Sequence, residues 1–328
     1  MLAQAARFLA VDFIPWRSVD TGTSGPLNSY VLLLPKIFGF PVDYVSGRIV
    51  ALFCLQIYAV FLFLGLIRIF GCSATMLAIL PTLLFIGLAT ERDFTHYSSE
   101  LLPMALLSIC FYALIMTYLK DSLVLSFLSG IFVSLVLLAK LQAAPLAAIL
   151  VLLFMLFYFC NHYQKGWRVF RVFCMVILGG ILIIAPITII LFLCSVFDDF
   201  FNSYINMAIA YANQPLPISK LWNLIEMTSE SKIYFQVMII LLLVSIITAS
   251  LTGSAKQSLI LKKTLNKRFI TLIGLAILFL VTAIYIVLVP GRLFPHYLML
   301  LTMPVTILMT AIFSLTLSII YAYLTTTH

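Results

Sequence analysis

Charged side chains are scarce in this chain, at 9% of its 328 residues, against roughly a quarter in ordinary soluble domains. The shortage excludes a water-soluble fold. An apolar share of 64% and a mean hydropathy of +1.19 point the same way, to a protein of the membrane. Paired cysteine spacing is missing too. Cys54, Cys72, Cys110, Cys160, Cys174 and Cys194 lie within or beside apolar runs without a CxxC, so they read as small buried hydrophobes rather than a disulfide framework or metal site. No GxxxxGK[ST], GxGxxG, GxSxG or HExxH occurs, so nucleotide hydrolysis and the common soluble catalytic centres are not expected. The net charge of +8 comes without a basic, aromatic-interleaved stripe on a soluble segment, which argues against nucleic acid as a partner. The opening MLAQAARFLAVDFIPW is broken by Arg7, Asp12 and Pro15 and does not fit a secretory signal.

What is present is a series of nearly uncharged windows, each about 17 to 25 residues long, enough to cross a hydrocarbon core of about 30 Å as a helix. Nine spans are expected, at about 46–68, 73–89, 101–119, 122–139, 143–160, 173–196, 233–252, 269–289 and 298–322. The fold class is therefore an all-α, polytopic transmembrane helix bundle. It forms one domain over 1–328, with an outer juxtamembrane segment at 1–45 and the bundle at 46–322. PLNSYVLLLPKIFG, residues 26–39, is too short to cross and carries Pro35, so an interfacial or re-entrant helix is expected there.

Parity assigns the loops to two faces. Cations divide almost evenly, but ten of the eleven acids fall on the face carrying 1–48, 90–100, 140–142, 197–232 and 290–297. The opposite face holds the short basic loops NHYQKGWRVFR and KQSLILKKTLNKR, which the positive-inside rule places in the cytoplasm. The acid-rich face is then extracytoplasmic.

On that face ERDFTHYSSE, residues 91–100, concentrates five ionisable groups. Asp93, His96 and Glu100 follow an i, i+3, i+7 spacing that a helical turn would bring to one side, where a carboxylate can accept a proton or share a divalent cation with His96. Alternatively Ser98 or Ser99 caps the next helix and Glu100 favours its dipole. In PGRLFPHY, Arg292 and His296 form a candidate clamp for a lipid phosphate, or Arg292 snorkels and Tyr297 belongs to the aromatic belt. Lys140 and Arg48 are each either snorkelling anchors or further phosphate contacts. SVDTGTSGPLNSY, residues 18–30, describes a sharp turn around Asp20, Gly22 and Gly25 into a helix begun by Pro26. The long segment 197–232 reads as a surface-lying lid or as a connector.

The order of these pieces carries a family resemblance. FIPWRSVDTGTSGPLNSYVLLLPKIFGFPVDYVSGRIVALF, then THYSSELLPMAL, LVLLAKLQAAPLAAIL and GRLFPHYLMLLTMP together resemble the GT-C integral membrane glycosyltransferases. The likeness is to the bacterial branch that includes lipid A aminoarabinose transferase and relatives of protein O-mannosyltransferases. The resemblance implies transfer of a sugar from a polyprenyl-phosphate carrier to an extracytoplasmic acceptor, a glycolipid, polysaccharide or protein. Its setting would be the bacterial inner membrane, with membrane lipids around it and the site facing the periplasm. It implies acidic catalytic residues at Asp93 and Glu100, and carrier-phosphate contacts at Lys140, Arg292, His296 and Arg48, with His96, Tyr97 and Tyr297 lining the substrate pocket. A divalent cation is a candidate cofactor. Family members begin with a transmembrane helix followed by an Asp or Asp-Glu pair; here the matching stretch starts at AQAARF, so an N-terminally truncated chain is expected, or Asp12 or Asp20 substitutes, or the product is inactive. The alternatives are a lipid-linked-sugar flippase or other transporter, and a noncatalytic membrane subunit of cell-envelope glycan assembly.

Overall fold

The computed structural model describes residues 1–162, 164, 166–212, 216–252 and 267–326. Among them the regular structure is all helix, and the one extended pairing is an antiparallel bridge between Ser24 and Lys140. An arm of three short helices comes first: α1 (Leu2–Ala10), α2 (Pro26–Val31) and α3 (Leu34–Ile37). The expected interfacial helix over 26–39 is thus two pieces, each with a proline in its first turn. Next come α4 (Tyr44–Phe70), α5 (Cys72–Leu88), the single turn α6 (Arg92–Thr95), α7 (Leu101–Lys120), α8 (Leu123–Ala139), α9 (Ala144–His162) and α10 (Gly166–Leu193). Short segments α11 (Phe197–Phe200), a π-helical stretch over Phe201–Asn206, α12 (Met207–Tyr211) and α13 (Lys220–Glu226) lead into α14 (Ser229–Thr252), α15 (Lys267–Leu288) and α16 (Met299–Thr326).

Local chemistry sets the helix ends. The Asp43 carboxylate accepts from the N–H of Val45 and Ser46 at 3.0 and 2.9 Å while Ser46 Oγ accepts from the Asp43 N–H, a capping box that starts α4. Gly71, at φ +83°, closes α4 and opens α5 in the same residue.

Among the described residues, apolar helices stand at each of the nine expected positions. Among the described residues, seven helices are long and apolar enough to cross a membrane, whereas α5 and α8 are apolar but have 17 residues each. At 1.5 Å per residue, that is about 26 Å, short of a hydrocarbon core of about 30 Å. At the centre are α7 and α16, with 78% and 72% of their most apolar windows buried, whereas α10, at 17%, turns most of its surface outward. Inside the bundle no water satisfies hydroxyls, so they pair across helices. Tyr58 meets Thr302 at 2.8 Å, and Thr82 meets Thr306 at 2.7 Å and Tyr234 at 3.1 Å, tying α4, α5 and α14 to α16. Helices α8 and α10 touch backbone to backbone: a Cβ on Gly130 would lie 1.9 Å from the Val176 carbonyl oxygen, and one on Gly179 2.0 Å from that of Phe127.

The helix ends sort the loops as parity expected. One end gathers 90–100, 140–142, 228–232 and 290–297, joined by contacts of Thr90 with Glu230, Glu100 with Lys140, and Asp93 with His296. The other end holds Asp121, which is ion-paired with Arg168 and accepts from the Tyr158 hydroxyl at 2.8 Å. Residues 253–266 of the expected cytoplasmic loop and 213–215 of the expected lid lie outside the described residues.

Candidate functional site

A chain of four ionisable side chains crosses the first of these ends. Glu100 opens α7 and is fully buried, and its carboxylate is ion-paired with the Lys140 ammonium, itself 3% exposed. Lys140 Nζ also donates to Ser99 Oγ at 2.7 Å, and Ser99 Oγ donates on to Glu100 Oε2 at 3.2 Å. The expected serine cap of α7 is not formed: Glu100 occupies the cap position and its side chain makes no bond to the helix N–H groups, and Ser98 Oγ is buried without a partner among the described residues. Lys140 neither snorkels nor stands free, because α8 ends at Ala139 and the chain turns extended at Lys140, with φ −159° and ψ 117°.

Close packing from the arm fixes that inward turn. The Gly25 N–H donates to the Ala139 carbonyl at 2.8 Å, and a Cβ on Gly25 would sit 1.9 Å from the Leu138 carbonyl oxygen, so only glycine allows this approach. Asn28, fully buried on α2, donates through Nδ2 to the carbonyls of Ala139 at 2.7 Å and Ser99 at 3.3 Å and accepts from the Tyr97 hydroxyl at 2.7 Å. It binds the Glu100 and Lys140 loops together. Sequence reasoning passed over Asn28; a lone amide inside the apolar PLNSYV was the available signal.

His296 links the second carboxylate. Its Nδ1 lies 3.2 Å from Asp93 Oδ2 and its Nε2 3.8 Å from Glu100 Oε2, placing the imidazole between two acids. Buried Pro295 and a stacked Phe294 ring, 5.4 Å away, hold it. Tyr297 lies beneath Lys140, with Nζ 4.9 Å from the ring centroid, and its hydroxyl meets that of Tyr211 at 3.2 Å. Burial pushes the Glu100 carboxyl up, but the Lys140 and His296 charges outweigh it and hold the group below the ordinary carboxylate value. Burial raises the Tyr97 phenol well above its usual range, so it remains a hydrogen-bond donor.

Not every expected residue joins. The helical face proposed for Asp93, His96 and Glu100 does not exist, because α6 stops at Thr95 and His96 is extended at φ −87°, ψ 159°. Asp93 and Glu100 meet instead through His296, while His96 turns to the other side of Tyr97 and lines a cavity with Arg48. Asp20 accepts from the Gly22 N–H at 2.8 Å and closes its own turn. Asp12 is ion-paired with Arg17. Arg292 is exposed four residues before His296 and makes no ion pair among the described residues. Among the described residues no group of three or more His, Cys, Asp or Glu is placed to hold a metal ion.

The arrangement offers one reachable carboxylate, Asp93, whose side chain is 38% exposed, backed by an imidazole and a fully buried, charge-compensated second carboxylate. Such a chain can take a proton from a hydroxyl at Asp93 and spread the change over His296 and Glu100. No protein-family model, no curated protein and no solved structure matches this chain.

Proposed function

We propose that this chain transfers a sugar from a polyprenyl-phosphate carrier to an acceptor at the extracytoplasmic face of a bacterial inner membrane, as a GT-C-like bundle in which all nine apolar helices cross. The observation that carries this reading is the meeting of Asp93, Glu100, Lys140 and His296, from three separate loops, at the acid-rich end of an apolar bundle. The acid-free basic stretches NHYQKGWRVFR and KQSLILKKTLNKR, expected on the opposite face, support this orientation through the positive-inside rule.

Asp93 takes the proton of the acceptor hydroxyl. The acceptor oxygen forms its bond to the anomeric carbon as the bond from that carbon to the carrier-phosphate oxygen breaks, and the electron pair leaves on the phosphate. Arg292 and His296 supply positive charge where the leaving phosphate gathers negative charge. Lys140 cannot serve there, because Glu100 already neutralises it. Glu100 acts as a positioning residue for His296, and Tyr97 and Tyr297 wall the site.

Transfer from a polyprenyl-phosphate sugar, measured in membranes at matched expression, tests the reading. Asp93→Asn is expected to lose about 10² to 10⁴ in rate, as for removal of a general base. Arg292→Ala should lose about a hundredfold, the consequence of removing roughly 3 kcal/mol of charge stabilisation. Unchanged turnover in both, and in Glu100→Gln, overturns the assignment. Lipid-linked-sugar flipping that survives in these variants, with no transfer by the parent chain, makes it a transporter instead.

A further inference from the structure

Three helices aim the same pattern at one unfilled space, in the half of the bundle that ends in Asp121 and Arg168. The stretches 111–118 of α7, 150–157 of α9 and 272–279 of α15 each line it at positions i, i+3, i+4 and i+7, two turns of one helix face. Stripes of this kind ordinarily interdigitate to interior density. Here they stand around a cavity of about 90 Å³, partly open to the outside, which α4 and α16 also border. Its walls are apolar throughout except for Tyr118. Water finds no set of polar partners there, so hydrocarbon is the filling that restores the missing contacts.

Proportions favour a chain over a compact ligand. Seven residues at 1.5 Å each make the cavity about 10 Å long, from Phe70, Tyr118 and Phe157 toward the helix ends to Phe111, Phe279 and Ile307 deeper in the bundle. A volume of about 90 Å³ holds roughly six to nine groups of water size, which over that length is a single file of methylenes. The mouth is aromatic: Phe70 meets Phe269 edge-on at 6.4 Å, and Tyr118 lies 5.1 Å from Phe157. Such rings collect where hydrocarbon gives way to headgroups. Charge at that end selects the headgroup. Arg68 directly precedes Ile69 and Phe70 of the cavity wall, and Lys120 follows Tyr118 by two residues. Both cations are exposed and make no ion pair among the described residues. Asp121, the one acid that the sequence assigns to this face, is engaged by Arg168.

We propose that an anionic glycerophospholipid of the adjoining leaflet seats one acyl chain in this cavity, with its headgroup phosphate beside Arg68 and Lys120. A soluble anion would leave the cavity empty, and a zwitterionic lipid, whose phosphate is already neutralised, would gain less from the two cations. The site lies at the opposite end of the bundle from the chain of four ionisable side chains and stands independently of sugar transfer. A hydrocarbon chain seated there joins α4, α7, α9 and α15 across a gap, so its binding stabilises the folded bundle.

The test uses the full chain in detergent micelles, stripped of lipid and titrated with dioleoyl phosphatidylglycerol or dioleoyl phosphatidylcholine under native mass spectrometry. Phosphatidylglycerol should be retained about tenfold more tightly, in keeping with two cations near a headgroup, and should raise the unfolding midpoint more. Arg68→Gln combined with Lys120→Gln is expected to erase that preference, and Ala276→Phe, which fills the cavity, to lower retention of both lipids. A phosphatidylglycerol carrying a photoreactive group in the headgroup-proximal part of its acyl chain should crosslink within 111–118, 150–157 or 272–279 of the unmutated protein, whatever the folding of the variants. Equal retention of the two lipids, a preference that survives the double substitution, undiminished retention by Ala276→Phe, crosslinks confined to other segments, or displacement of the bound lipid by polyprenyl phosphate would each overturn the proposal.

Discussion

A lysine at the end of a membrane helix ordinarily extends its stem toward the headgroups; Lys140 turns inward because the bond from Gly25 to Ala139 and the Asn28 amide hold the chain end over Glu100. Breaking the pair strands a buried charge, so Lys140→Met should cost about 3 to 5 kcal/mol of stability. Lys140→Met combined with Glu100→Leu should recover most of that, as read from unfolding midpoints in detergent. The pair also sets a pH dependence. The Glu100 carboxyl lies below its ordinary 4.5 in the folded chain, so the unfolded chain binds the proton first; the stabilisation is complete at neutral pH and is lost as pH falls below 4.5 through the folded value. Glu100→Gln should lack this acid-limb slope. Asn28→Ala removes the partner of the Ser99 carbonyl and of the Tyr97 hydroxyl, while the Ala139 carbonyl keeps the Gly25 N–H, at about 1 to 3 kcal/mol for each buried group left unsatisfied. Asp93, Glu100, Lys140 and His296 could each be singled out from the sequence because charge is rare there. Their pairing could not, since Glu100 and Lys140 are 40 residues apart and Asp93 and His296 are 203 apart.

Helices were legible because their apolar runs outlast any loop; their ends and contacts were less so. The single turn α6 defeats the helical-face reading of Asp93, His96 and Glu100, since four residues are too few to carry that spacing through to Glu100. Contact between α8 and α10 depends on two glycines that do not stand out in the apolar sequence. Gly130→Ala or Gly179→Ala puts a Cβ within about 2 Å of a carbonyl oxygen and should destabilise by about 1 to 3 kcal/mol, as overpacking does. Gly87→Ala, where a Cβ meets nothing within 4 Å, is the control and should be neutral or slightly stabilising in the same thermal assay.

At the scale of the whole molecule, both ends of the bundle carry polar clusters, and six apolar helices lie between His96 and His296. The proposed site needs both residues in one compartment and hence an even number of crossings between them, which would require the 17-residue α8 to cross along with its five longer neighbours. In a background with the six native cysteines replaced, His96→Cys and His296→Cys should react with an impermeant thiol reagent from one side, and Arg168→Cys from the other. Labelling of positions 96 and 296 from opposite sides would dismantle the shared site.

The sequence by itself determined that this chain is a membrane-embedded helical bundle, and which loops collect its acids, because hydrocarbon-length apolar runs and scarce charge are properties of short windows. Only the tertiary structure decided which charges cancel and which remain available. Lys140 is neutralised by Glu100, Arg48 makes no ion pair among the described residues, and His296 stands between two carboxylates. Those outcomes depend on distances between segments far apart in the chain, set by how helices of nearly uniform apolarity pack, and no local pattern encodes them.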